Sequence, residues 1–303
     1  MKTNREQTAA RQAEKINKIA VIGGDSRQIH LAQYLQNSGK DVSCFALLGT
    51  ANHGLKSPYS LAECLRGCSH LVLPIPVSRD ECYLSTPLWE IPLPLDELVE
   101  KISPETKVYG GLFSIEFAEV LRMSGHTVYD YANDAILLEE NAQATAEAAL
   151  ALIIMHSQSL LRSSNVVILG SGRISRYLAQ LVTNVGAQVT LLSRSIPPWV
   201  DEIHAYMPLH EAEYALAHAD MVVNTIPAQT IDQTAQAQLC KGTLFIDLAS
   251  GGSMEQFPCG LRPADAARNG VIAMHSLGLP GKFSPRFAGE LIAKYVLKQE
   301  SIY

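Results

Sequence analysis

Short apolar runs, each followed by a glycine-containing or polar turn and then by a stretch with helical spacing, recur along the chain. The runs at 18–23, 42–48, 70–76, 107–110 and 127–131 predict strands, and the more continuous of them read as strands buried on both faces. Between them, a stretch reaching Asn37 and stopped by Gly39, the segment 95–102, and a segment capped by Ser114 and running to Met123 predict helices. The proline-rich 87–94 reads as a loop, and alanine-rich 142–161 as one long helix. The pattern then repeats. Val166-Val167-Ile168-Leu169 is a strand, Ile174, Leu178, Leu181, Val182 and Val185 mark a helix ending at Gly186, and 188–192 is the next strand. Further strands are expected at 219–225, 243–248 and 271–274, with a last helix over 284–298 opened by Ser284-Pro285. This order predicts an α/β chain: two doubly wound, Rossmann-like domains with parallel sheets, at 1–139 and 140–283, linked by the long helix. The segment 284–303 closes the fold as a C-terminal helix packed back on the first domain.

Charge and composition narrow the partners. The chain of 303 residues carries a formal net charge of −6 and no basic cluster, which argues against nucleic acid and anionic membranes. Its longest apolar run, 148–155, is too short to span a bilayer. The polar segment 1–17 lacks the apolar core of a signal peptide and reads as a tail or frayed helix, so a cytoplasmic protein is expected. Cysteines at 44, 64, 68, 82, 240 and 259 form no paired framework. Cys64, Cys68 and His70 lack a second ligand cluster, so no metal is expected. A homo-oligomer is compatible with all of this.

Gly170-Ser171-Gly172-Arg173-Ile174-Ser175 lies between a clear strand and a clear helix, which is where a diphosphate is held. Gly170 permits the tight turn, Gly172 removes a side chain that would block the phosphates, and the helix's first N–H groups point at the anion. Ser175 stands where Gly or Ala is usual, so helix and strand must pack around a hydroxymethyl group. An NAD site places Asp or Glu at the end of the second strand to accept the ribose hydroxyl, whereas this chain has Ser193-Arg194-Ser195. A guanidinium flanked by hydroxyls suits a 2′-phosphate, so NADP is the expected cofactor. Thr225, Ile226 and Pro227 follow the strand beside the nicotinamide half, and Ser250 ends the next strand.

The turn Gly23-Gly24-Asp25 is no nucleotide fingerprint, because a carboxylate would sit where the phosphates go; Asp25 and Arg27 read as a turn or N-cap pair, with a site role for Arg27 as the alternative. Ser78 and Arg79 follow a strand end and are placed to hold an anion, or are merely exposed. Ser114 caps its helix or presents its hydroxyl and the helix amides to a carboxylate. Glu147, among alanines at the domain junction, is a surface or a cleft residue.

These pieces resemble the dipicolinate synthase A-subunit family. The motifs are GGDSRQ (23–28), PVS (76–78), TAE (145–147), GSGRIS (170–175), NTIP (224–227), DLAS (247–250) and GLPGKFSP (278–285), with Ala288-Gly289 following. The family loop after DLAS usually carries Pro-Gly-Gly where this chain has Gly251-Gly252-Ser253, and His275 has no obvious family counterpart. The resemblance implies an NADP-dependent oxidation of dihydrodipicolinate to dipicolinate during spore formation, in the mother-cell cytoplasm, with the second, flavoprotein-like subunit of dipicolinate synthase as partner. It makes Ser78, Arg79, Ser114, Thr145 and Lys282 candidates for the substrate's two carboxylates and Glu147 the candidate for proton transfer, with Asp247 the other acid in the motifs of the linking helix and second domain. One competing class is a D-2-hydroxyacid dehydrogenase, but the strand end that carries its arginine here reads Asp247-Leu248-Ala249-Ser250. The other is an NADP-binding protein without turnover of its own.

Overall fold

The computed structural model describes residues 18–300, so the N-terminal tail expected at 1–17 lies outside the described residues, as do 301–303. The chain divides into two compact units, Met1–Leu138 with Ser284–Tyr303, and Glu139–Phe283.

In the first unit the elements run β1 (Lys18–Ile22), α1 (Ser26–Asn37), β2 (Asp41–Phe45), α2 (Leu61–Leu65), β3 (His70–Val72), α3 (Leu95–Lys101), β4 (Lys107–Gly110), α4 (Ile115–Met123) and β5 (Thr127–Asp130). The helix α5 (Ala135–His156) carries the chain into the second unit. There follow β6 (Asn165–Leu169), α6 (Arg173–Asn184), β7 (Gln188–Ser193), β8 (Ala205–Pro208), α7 (Ala212–Ala217), β9 (Met221–Asn224), α8 (Gln233–Ala237), β10 (Leu244–Asp247), α9 (Pro263–Arg268), β11 (Ile272–His275) and α10 (Leu279–Phe283). The last helix, α11 (Pro285–Glu300), belongs to the first unit again.

Both sheets are parallel throughout, with strand orders β2-β1-β3-β4-β5 and β11-β10-β9-β6-β7-β8. These are the two common doubly wound orders, in which the direction of winding reverses at β1/β3 and at β6/β9; ligands bind outside the carboxyl ends of the strands at such points. The apolar strand runs follow from the layering. Successive side chains of a strand point to opposite faces, so Val166 and Ile168 enter one core of the second unit and Val167 and Leu169 the other. In the first unit Ile19 and Val21 are parted from Ala20 and Ile22 in the same way. A strand with helices on both faces has no polar side to show.

The helix α11 packs on α1 at Gly289, where a Cβ would come within 2.3 Å of the Arg27 carbonyl and 2.8 Å of the Leu31 nitrogen. Only a glycine lets the two backbones approach so closely.

Several boundaries differ from the pattern. The runs at 42–48 and 70–76 end as strands at Phe45 and Val72; Ala46, with φ 54°, turns the chain after the first, and Pro74 follows the second. The long helix begins at Ala135 and stops at His156, started by Asp134, whose carboxylate accepts the Leu137 N–H at 2.9 Å. Between β11 and the last helix the chain makes the helical turn α10, and β8 is an edge strand that the expected strands did not include.

Candidate functional site

In the second unit the turn after β6 is built from below. Gly170 has φ 112°, and its N–H donates to the Leu192 carbonyl at 2.8 Å. A Cβ there would meet Thr225 Oγ1 at 2.3 Å. The Thr225 hydroxyl donates to the Leu169 carbonyl (2.9 Å), where the Thr225 amide also donates (3.0 Å). With its one proton so engaged, Thr225 accepts from the fully buried Ser175 hydroxyl at 2.9 Å. The serine at the third small position is thus absorbed as a brace between α6 and the end of β9.

The upper side of the turn is bare. A Cβ on Gly172 would meet nothing within 4 Å, and α6 starts at Gly172 without a side-chain cap and without an acid in its first turn. Helix amides left without internal partners, at a point free of side chains, are what a diphosphate requires. The residues present therefore fit a dinucleotide.

At the end of β7, Ser193 is buried and its hydroxyl donates to the Ser195 carbonyl at 2.6 Å, while its own carbonyl accepts from Tyr206 Oη at 3.2 Å. Ser193 shapes the turn, and its proton already has an acceptor. Arg194 and Ser195 are exposed, and no described residue pairs with the Arg194 guanidinium. A carboxylate that would accept a ribose hydroxyl is absent from this strand end, and an exposed cation without a described partner stands there.

The ends of β9, β10 and β11 are tied together by groups that sequence reading did not single out as braces. Asp247, fully buried, accepts from Asn224 Nδ2 (2.9 Å), the Ala249 amide (2.9 Å) and the Cys259 amide (3.4 Å). Asn224 also holds both sides of the next turn, donating to the Ile226 carbonyl (3.0 Å) and accepting the Ile226 amide (3.1 Å). His275 Nε2 lies 2.8 Å from the Ala249 carbonyl; a carbonyl only accepts, so Nε2 bears a proton. Ile226 is half-buried, and Pro227 and Ser250 are exposed at these strand ends.

Glu139, also missed from sequence, reaches the start of α6. Its carboxylate lies 3.0 Å from Arg173 Nε and 2.5 Å from Arg176 Nη2, and it accepts from Tyr177 Oη at 2.5 Å. Gln143 donates to the same tyrosine at 3.1 Å. The Tyr177 hydrogen bond first, and the two arginines with it, hold the Glu139 carboxyl below the usual range. On α5, Thr145 is buried with its hydroxyl turned to the Asn141 carbonyl (2.7 Å), whereas Glu147 is exposed and without a described partner. Lys282 on α10 is likewise exposed and without a partner among the described residues.

The first unit brings its candidates to the ends of β3 and β4. Asp25 caps α1 by accepting the Arg27 amide (3.0 Å) and grips the Arg27 guanidinium through Nε (2.8 Å) and Nη2 (2.8 Å). Nη2 also donates to the Ile75 carbonyl at 3.1 Å. Burial alone would raise the Asp25 carboxyl, but Arg27, aided by the charge of Arg79, leaves it lowered. Arg79 itself is exposed. Ser78 accepts the Glu81 amide (2.9 Å) and donates to Asp80 (3.2 Å), closing a tight turn. Ser114 accepts the Phe117 amide (3.2 Å) as the cap of α4, which leaves its own proton free. Asp130 holds the loop before it through the amides of Leu112 (3.1 Å) and Phe113 (3.3 Å).

Gly170 to Ile174, Ser193 to Ser195, Thr225 to Pro227 and Ser250 thus share the carboxyl edge of the second sheet, and Ser78, Arg79 and Ser114 that of the first. Thr145, Glu147 and Lys282 sit on helices of the second unit and make no described side-chain contact with those strand ends.

Comparison with known proteins finds one matching family in each unit. Residues 18–132 match the family of the dipicolinate synthase A-subunit N-terminal domain. Residues 142–257 match "D-isomer specific 2-hydroxyacid dehydrogenase, NAD binding domain". The dipicolinate synthase A-subunit of Bacillus subtilis (strain 168) is 26% identical over 292 residues, covering 93% of this chain and 95% of that protein. The crystal structure of the Bacillus subtilis A-subunit superposes with a TM-score of 0.76 at 22% identity, over 94% of this chain and 96% of that one. The A-subunit structure from Bacillus halodurans gives 0.79 at 22% identity, over 94% and 98%. The chain is therefore similar to the dipicolinate synthase A-subunit over nearly its whole length, and residues 142–257 of its second unit are similar to the NAD-binding domain of D-isomer specific 2-hydroxyacid dehydrogenases, which supports an oxidoreductase-like role.

Proposed function

We propose that this protein oxidises dihydrodipicolinate to dipicolinate with NADP, as the A-subunit of a dipicolinate synthase. The observation that carries the reading is the combination of a bare glycine turn at 170–172 with an exposed Arg194, without a partner among the described residues, where an NAD site has an acid. The amides of Gly172 to Ile174 hold the diphosphate, and Arg194 with the Ser195 hydroxyl holds the 2′-phosphate. When bound, the nicotinamide serves as hydride acceptor.

Substrate and product differ by two hydrogens, one leaving a ring carbon as hydride and one leaving a neighbour as a proton. Aromatisation drives the change, so the protein's task is chiefly to align the rings and hold two carboxylates. Arg79, Ser78 and Ser114 of the first unit, with Lys282 and Thr145 of the second, are the proposed carboxylate ligands, Ser78 and Thr145 by turning their hydroxyl protons from Asp80 and the Asn141 carbonyl to the substrate. Arg79 and Lys282 are exposed cations that make no described hydrogen bond or ion pair, and Ser114 retains a free hydroxyl proton. Glu147, exposed and without a described partner, is the group proposed to take the proton, because the other acid in the motifs of the linking helix and second domain, Asp247, is buried under three donors. A flavoprotein-like second subunit of the synthase is the proposed partner and the mother-cell cytoplasm the proposed location; no helix among the described residues is long and apolar enough to cross a membrane.

The test is NADPH absorbance on mixing NADP with freshly made dihydrodipicolinate, with and without the flavoprotein-like partner. Reduction of NADP in either mixture is the expected result, and none in both, from protein that binds NADP, sinks the reading. A second reading, oxidation of a D-2-hydroxy acid, is favoured by the family matched at 142–257. It lacks its arginine at the end of β10, and turnover of a panel of 2-oxo acids with NADPH would establish it instead.

A further inference from the structure

The first turn of α6 contains Arg173 and Arg176 and no acid. Cations there oppose the helix dipole, so their charge calls for an anion close by. The anion in this structure comes from the chain itself: Glu139 of α5 accepts from Arg173 and Arg176 together. Arg173 is also the first residue of the helix whose amides face the bare side of the glycine turn, so its side chain leaves the backbone where a diphosphate would lie.

We propose that Glu139 is a built-in counter-ion that competes with the dinucleotide's diphosphate for Arg173 and so restrains cofactor affinity. The inference rests on the dinucleotide reading of the 170–172 turn. Exposure decides between a fixed strut and a contact that can open. The Arg173 and Glu139 side chains are 53% and 34% exposed, against 11% and 27% for the enclosed Arg27–Asp25 pair. An ion pair so wet is easily exchanged for a stronger anion. Tyr177, itself held by Gln143, hydrogen-bonds the Glu139 carboxylate in place and with the two arginines holds it below the usual carboxylate range, so the competitor is charged at neutral pH.

The test is calorimetric titration of the full-length protein with NADP and with NAD, alongside thermal melts of the ligand-free protein. Glu139→Gln keeps the Tyr177 hydrogen bond and removes the charge; it should tighten both dinucleotides by about twofold to fivefold, the scale of a half-exposed ion pair, and the gain should shrink at high salt. In an Arg173→Gln background the same change should bring no gain. Glu139→Asp, which withdraws the carboxylate by one methylene, should give a smaller gain in the same direction and serves if Glu139→Gln fails to fold. Unchanged or weaker binding with an unaltered melt overturns the proposal, as does a gain that persists without Arg173. If the wild-type protein binds neither dinucleotide, the dinucleotide reading itself falls; if it binds both and the variants do not tighten, only the counter-ion role falls.

Discussion

At the switch point of the first sheet, the turn after β1 carries Gly24, Asp25 and Arg27; at that of the second, the turn after β6 carries Gly170, Gly172 and Arg173. Both are glycine turns feeding a helix at the reversal of a doubly wound sheet. They differ in what the glycines face. A Cβ on Gly24 would meet Gln28 Cγ at 2.5 Å and Pro74 Cβ at 3.0 Å, and the helix start behind it is capped by Asp25 and sealed by Arg27. A Cβ on Gly172 would meet nothing, and its helix start is uncapped. Topology therefore offers an anion site at either place, and side chains close one of them. A glycine required for packing and a glycine required for a ligand look alike in sequence and are told apart by the space in front of them.

The sharpest way to break the comparison is within the second turn. Gly170→Ala forces a side chain into a left-handed conformation and against Thr225, so the protein should lose roughly 3 kcal/mol or more in denaturant unfolding. Gly172→Ala enters open space at an extended backbone position and should cost under about 1 kcal/mol, while dinucleotide binding falls sharply. Equal stability losses for the two variants would erase the distinction between a packing and a ligand glycine.

The first turn is tested by Arg27→Met. It leaves the Asp25 carboxylate without its cation in a largely enclosed place, for an expected cost of about 2 kcal/mol at neutral pH. The pH dependence has a definite sign. The Asp25 pKa is lowered in the folded protein, so its contribution is full above the unfolded value, near 3.8, and is lost as the pH falls below it. The variant's stability should accordingly converge on that of the wild type in acid. A gap between the two that stays constant from neutral pH down into that range would show that Arg27 acts by packing alone.

Arg194→Ala sharpens the chemistry of the open turn. It should weaken NADP relative to NAD by about 1 to 3 kcal/mol, the worth of a charged hydrogen bond, in paired binding titrations. An equal loss for both cofactors removes the 2′-phosphate role.

Much of the architecture was legible because parallel strands under two helix layers must be apolar on both faces, and the runs that open at Lys18 and Val166 announce this. Caps such as Ser114 were legible because their bonds close within a few residues. The braces were not. Asp130 holding the Leu112 amide, Asp247 joining the ends of β9 and β10, and Glu139 gripping Arg173 each span 18 or more residues, and nothing local marks them. The early start of α5 was hidden by Glu139, Glu140 and Asn141, although Asp134 was available as its cap signal. The edge strand β8, Ala205-Tyr206-Met207-Pro208, is apolar but only four residues long and ends in a proline, so its run did not read as a strand.

Ser175→Ala should have the smallest effect of these changes. Sequence alone made this serine an intrusion where Gly or Ala is usual, so its removal would be expected to relieve crowding. In the structure it donates a hydrogen bond to Thr225, but Thr225 keeps its bond to the Leu169 carbonyl without it, so no buried donor is orphaned. The loss should be about 0.5 to 1 kcal/mol, the net worth of one hydrogen bond, with dinucleotide affinity unchanged. A gain in stability would mean that the hydroxyl crowds the turn after all, and a loss above about 2 kcal/mol would mean that the helix, not Thr225, sets the height of the glycines.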